Sequence, residues 1–251
     1  MLDAFRPVVL CYHAVSDRWD HPLAVRQGQL ERQVEHFLRR GYRPASWREV
    51  VPGRGRLLHV TFDDAYTNID LVLPLLARLG LPCTVFACTD HADTGRPIDS
   101  ELQRLQPPEV ADELRTMDWD RLRAVAATGV VVGSHSVTHA SLTQLSDADL
   151  AHELRDSREK IEAELAQPCR LLAYPYGDED ERVRTAARGA GYEAAFSMPG
   201  SVLKRDAYRL PRVGINRRDG VLRARMKTSP LSFPIRARRV RRANSQRATR
   251  P

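Results

Sequence analysis

The chain has 251 residues, 42% of them hydrophobic, which suits one large α/β domain or two small ones. Its net charge of +7 is unevenly spread: from Leu203 onward sixteen Lys/Arg face two acids, while the rest carries 23 basic and 30 acidic groups. No run approaches the ~20 apolar residues that cross a bilayer, Met1–Leu10 lacks a signal-peptide pattern, and the expected location is the cytoplasm.

The elements alternate. Val8–Tyr12 is an apolar strand. Leu30, Val34, Phe37 and Leu38 fall on one helical face, and Gly41 suits a helix stop. Leu57–Phe62 is the next strand, followed by a helix over Ile69–Leu79 that ends at Gly80. Cys83–Ala87 is a strand, and the polar, Pro-containing stretch Ala92–Thr116 looks like an insertion loop with room for a short helix. A helix over Asp120–Ala127 leads to a strand at Val130–Val132. Ser146 and Asp149 form a capping pair for a helix carrying Leu150, Leu154, Ile161 and Leu165. A strand at Leu171–Tyr174, a helix at Asp180–Arg188 and strands at Ala194–Phe196 and Arg212–Ile215 complete the pattern. Strands regularly separated by helices imply a parallel sheet, as a barrel or a doubly wound layer. The four cysteines, Cys11, Cys83, Cys88 and Cys169, form no Cys-x-x-Cys pair and sit in or beside apolar runs. They are expected to be reduced and buried.

The chemistry collects at strand ends. Thr61-Phe62-Asp63-Asp64 places two carboxylates side by side, although like charges repel and raise each other's pKa. About seventy residues on, His135 and His139 stand four apart and face the same way. Two imidazoles and one Asp make a facial set for a divalent metal, and the other Asp remains free to take a proton. Zinc is the default, with iron, nickel or cobalt accommodated by the same set. Tyr174-Pro175-Tyr176-Gly177 forms a turn whose backbone N–H can face a developing oxyanion. His13 follows the first strand directly.

In this order, Asp-Asp, His-x-x-x-His and Pro-Tyr-Gly resemble the first three motifs of the polysaccharide deacetylases, the NodB-homology group of carbohydrate esterase family four. The resemblance covers about Val8 to Asn216. It implies a distorted (β/α)7 barrel that hydrolyses N-acetyl, sometimes O-acetyl, groups on sugars with a divalent metal. By the same resemblance Asp63 is the general base, Asp64, His135 and His139 hold the metal, and the Tyr176 N–H helps bind the oxyanion. The chain departs from the family pattern in three places. Ala65 replaces a usual Gly, and Ala173 replaces the usual Arg that orients the base. No histidine follows His152, so the usual C-terminal general acid is missing. Arg209 and Arg212 are the nearest substitutes for the arginine, and with Pro175 they are assigned to the substrate-binding set. His13 resembles the Tyr-His of a branch that deacetylates poly-N-acetylglucosamine-type polymers, and is expected to be the general acid.

The expected domain is 1–220, acting on an N-acetylglucosamine-type polysaccharide or glycan precursor. An O-acetyl esterase and a silent sugar-binding module are the alternatives. Residues 221–251 are expected to be a disordered basic tail, with seven arginines and no acid between Arg236 and Arg250. Such a tail suits an anionic membrane surface and would hold the protein at the inner membrane face. No specific nucleic-acid binding is expected.

Overall fold

The computed structural model describes residues 7–99, 104, 106–198 and 206–229. Seven parallel strands form its frame. They are β1 (Val8–Tyr12), β2 (Leu57–Phe62), β3 (Cys83–Ala87), β4 (Val131–Ser134), β5 (Leu171–Ala173), β6 (Ala194–Ser197) and a split β7 (Leu210–Pro211 and Val213–Gly214). Neighbouring strands pair in sequence order from β1 to β6. The first half of β7 then pairs with β6, and the second half pairs with β1. The sheet therefore closes into a barrel through one short segment, which changes partner at Arg212. Pro211 has no N–H to donate, which suits a strand at such a break.

Helices pack outside. They are α1 (Gln27–Arg39), α2 (Leu73–Arg78), α3 (Trp119–Ala127), α4 (Asp147–Leu165), α5 (Glu181–Gly189) and α6 (Val221–Thr228). On α1 the buried stripe is Leu30, Val34 and Phe37, and Gly41 at φ 79° ends the turn. Ser146 caps α4 by accepting the Asp149 N–H at 3.2 Å. The expected helix over Ile69–Leu79 divides into a 3-10 turn at Thr67–Leu71 and α2, with Pro74 near the start of the second piece.

The strands are buried on both faces, as parallel sheets are, and alternate residues serve two cores. Val8, Leu10, Tyr12, Leu58, Val60 and Phe62 pack toward the helices. Val9, Leu57, Phe86, Leu171, Ala173, Ala194, Phe196 and Leu210 fill the barrel, with Trp47 among them. The same parity carries Cys11, His13, Thr61, Asp63, His135 and Arg212 inward. A Cβ at Gly133 would meet the Phe86 ring at 2.6 Å, so that inward position accepts only glycine beside Phe86.

The short helix allowed within Ala92–Thr116 is Pro108–Ala111, and Val110 and Leu114 pack with Trp19 and Tyr66. One expectation needs amendment. The described part of the 221–251 segment is helical rather than disordered, because Ala224 buries itself fully against the barrel's helical layer. The Arg236–Arg250 run lies outside the described residues.

Candidate active site

The site is built on the carboxyl ends of β1, β2, β4, β5 and β7. Adjacent residues on a regular strand point to opposite faces, so Asp63 and Asp64 cannot both face the barrel mouth in extended conformation. Backbone geometry resolves this: Asp64 has φ 67° and Ala65 has φ 47°. The left-handed turn swings Asp64 back toward the site. Among the described residues, five of the six non-glycine positions with positive φ lie here, at Asp64, Ala65, Ser136, His139 and Tyr176. Such strain persists only where surrounding contacts enforce it.

Asp63 is the anchored carboxylate. Arg212 donates to its Oδ1 at 2.5 Å and to its Oδ2 at 2.8 Å. Cys11 donates its S–H to Oδ2 at 3.3 Å. Burial opposes the charge on Asp63, but Arg212, and then His135, override it and hold the carboxyl well below the usual range. Burial pushes the Cys11 thiol up, so it stays protonated and remains a donor. Arg212 itself is fully buried. Its guanidinium carbon lies 5.4 Å from the Phe86 ring centroid and 5.9 Å from that of Phe196.

Asp64 is the opposite case. Burial raises its pKa, and the Asp63 charge adds to the rise. Its buried Oδ1 has no hydrogen-bond partner. That oxygen lies 3.6 Å from His135 Nε2 and 3.5 Å from His139 Nε2. The Nδ1 of His135 faces the Ala173 carbonyl at 2.7 Å, which leaves Nε2 as the lone-pair nitrogen. Burial pushes the His135 ring down to about 4, so it is a neutral imidazole rather than an ion-pair partner. Ligand atoms of Asp64, His135 and His139 lie within 4.8 Å of one another. An orphaned carboxylate oxygen aimed at two imidazole nitrogens, with the His135 ring held neutral, fits a divalent cation by both charge and donor type.

The histidine loop is held from below. Glu153 on α4 accepts the N–H groups of Val137 and Thr138 at 2.8 and 3.0 Å, and the Thr138 hydroxyl at 2.5 Å. Ser136 accepts the His139 N–H at 3.1 Å. Glu153 and Cys11 were missed by the sequence reading. The signal for Glu153 was a carboxylate beside Leu154 in the buried stripe of a helix.

His13 sits at the end of β1, close enough for its charge to favour ionisation of both Asp63 and Asp64. Its Nδ1 is buried without a hydrogen-bond partner. Tyr176 is 41% exposed and packs its ring against His139 at 4.7 Å. Pro175 is buried. Of the two arginines, Arg212 reaches Asp63, whereas Arg209 donates to Glu179 at 2.7 Å. Arg212 has no exposed face for a substrate, so its place is beneath the carboxylate rather than in the binding surface.

A parallel barrel with polar residues gathered at its carboxyl ends is the architecture of a (β/α)-barrel enzyme. The polysaccharide deacetylase family matches residues 51–195, and the chain belongs to that family. It is 23% identical over 219 residues to YxkH of Bacillus subtilis strain 168, itself named as a polysaccharide deacetylase, across 83% of this chain and 71% of that one. A polysaccharide deacetylase from Bacillus cereus superposes with a TM-score of 0.71 at 22% identity, covering 88% of this chain and 68% of its own. A de-N-acetylase from Aggregatibacter actinomycetemcomitans gives 0.67 at 20% identity, covering 88% and 99%.

Proposed function

We propose that this protein is a metal-dependent N-deacetylase acting on an N-acetylglucosamine-type polysaccharide or glycan precursor. One observation carries the reading: two adjacent aspartates have been given opposite environments, one locked onto Arg212 and one open toward two imidazoles. Paired titratable groups pushed apart in this way mark divided roles.

Asp64, His135 and His139 are the residues that would hold the ion. A divalent metal there, zinc by default, supplies Lewis-acid polarisation of the acyl carbonyl and acidifies water. Asp63, ionised and aimed by Arg212, takes the proton from the attacking water. The Tyr176 N–H donates to the oxygen that gains negative charge. His13 in its protonated form gives a proton to the leaving nitrogen. An amine leaves far more readily than an amide anion, so an acid beside the aspartates favours amide over ester hydrolysis. The relative named as a de-N-acetylase supports the same choice.

The test is acetate release from matched N-acetylated and O-acetylated oligosaccharides, with metal content measured on the same sample. Release from the N-acetyl set with stoichiometric metal supports the proposal. Release from the O-acetyl set alone overturns it.

A further inference from the structure

Helix α6 presents its large apolar side chains to solvent. Ala224 is fully buried, whereas Leu222 is 67% and Met226 61% exposed. At 3.6 residues per turn Leu222 and Met226 stand only ~40° apart, and Ala224 lies on the far side. Arg223 and Arg225 flank the pair on either side of that outward stripe, and both are exposed, as is Arg218 just before the helix. This inverts the usual surface helix, which turns its large apolar residues inward.

The arrangement is not a frayed end. Lys227 donates to the Gly214 carbonyl at 3.0 Å and pairs with Asp219. Gln29 on α1 donates to the Asp219 carbonyl at 2.8 Å, and Gln33 donates to the same oxygen. The apolar stripe is therefore held outward by a fixed helix.

We propose that the outward face of α6 is a docking surface for an anionic lipid membrane. Leu222 and Met226 enter the boundary between headgroups and acyl chains. Arg218, Arg223 and Arg225 meet lipid phosphates. Charge alone would serve a nucleic-acid backbone equally well. The apolar centre with a basic rim is what selects a lipid surface.

The experiment uses the full chain and sucrose-loaded vesicles of phosphatidylcholine, alone or mixed with phosphatidylglycerol. The protein is expected to pellet with the mixed vesicles at low salt and not with the neutral ones. The double variant Leu222→Gln/Met226→Gln keeps every charge and should weaken that partition by about tenfold or more. A Met226→Trp variant should be quenched by brominated acyl chains, which reads insertion directly. Three results overturn the proposal: no pelleting with mixed vesicles, equal binding by the double variant with an unquenched Trp, or retention on duplex DNA in place of vesicles. None of these readouts depends on deacetylase activity.

Discussion

Arg212 grips Asp63 through both carboxylate oxygens, 149 residues away in sequence, from the point where the closing strand changes partner. The family pattern usually supplies this arginine from the position that Ala173 occupies here. Ala173 instead fills the barrel and lends its carbonyl to His135. The guanidinium has moved to a neighbouring part of the ring while its target has stayed in place.

Arg212→Lys should keep a positive charge but lose the two-pronged grip, and kcat should fall about 100-fold with KM little changed. Arg212→Ala should also cost about 3–5 kcal/mol of stability, since it strands a buried carboxylate. Steady-state kinetics and urea unfolding read the two effects separately. Wild-type kcat in Arg212→Lys would show that the pairing is structural only.

Chelation should abolish turnover while leaving the far-ultraviolet circular dichroism intact, because none of the three candidate ligands belongs to the apolar barrel core built on Val9, Phe86 and Phe196. Asp64→Asn and His135→Ala should each lose bound metal by elemental analysis, and Asp63→Asn should retain it. Full occupancy in His135→Ala would remove that residue from the ligand set.

His13→Ala should lower kcat by about 10²–10⁴-fold. It should also erase the alkaline limb of the pH–rate profile, which reports loss of the protonated acid. An unchanged profile would reassign the proton donor.

Ala65 and Gly177 both sit at positive φ, 47° and 67°. Ala65→Gly relieves a left-handed alanine at the cost of a more flexible unfolded chain, for a net gain of about 0.5 kcal/mol. Gly177→Ala adds strain and drives its Cβ into Met198, for a loss of about 2–4 kcal/mol. Thermal unfolding should show opposite signs for the two variants.

Buried His59 donates from Nδ1 to the Ala45 carbonyl at 2.8 Å and faces the Thr84 hydroxyl at 3.0 Å through Nε2. Burial pushes its ring down to about 4, against 6.5 for an ordinary histidine. Between those values the unfolded chain binds a proton that the folded chain refuses. Stability is therefore complete above about 6.5 and falls as the pH drops toward about 4, by up to about 3 kcal/mol from this group. Asp63 is displaced in the same direction, so its contribution is lost in the same sense, but only as the pH falls below the ordinary carboxylate range. Urea midpoints of metal-free wild type and His59→Gln between pH 7 and pH 4.5 should converge as the pH falls. Parallel curves would rule out His59 as a source of the acid sensitivity.

The strand-and-helix order, the placing of Asp63 and His135 at strand ends and the spacing of His135 and His139 were legible in the sequence, whereas the choice of Asp64 over Asp63 as their partner came from the family resemblance. The first three depend on periodicity or spacing within a few residues, and local backbone geometry dictates those. The break of the single predicted helix at Val72 had its own local signal in Pro74, which has no N–H for a continuing ladder and stands in the first turn of the second piece.

The sequence by itself determined a parallel α/β chain whose strand ends carry a candidate metal-binding set and a spare carboxylate. Only the tertiary structure decided between Arg209 and Arg212, placed the Cys11 thiol on Asp63, recruited Glu153 beneath the histidine loop and turned Leu222 and Met226 outward. The arginine depends on how the barrel closes, which joins residues 149 positions apart, while the Cys11 and Glu153 contacts span 52 and 16 positions. No local pattern records those distances. The adjacent aspartates state the contrast most plainly: their identity and spacing are local, but their division into an anchored and an open carboxylate is made by Arg212 and two histidines that only folding brings near.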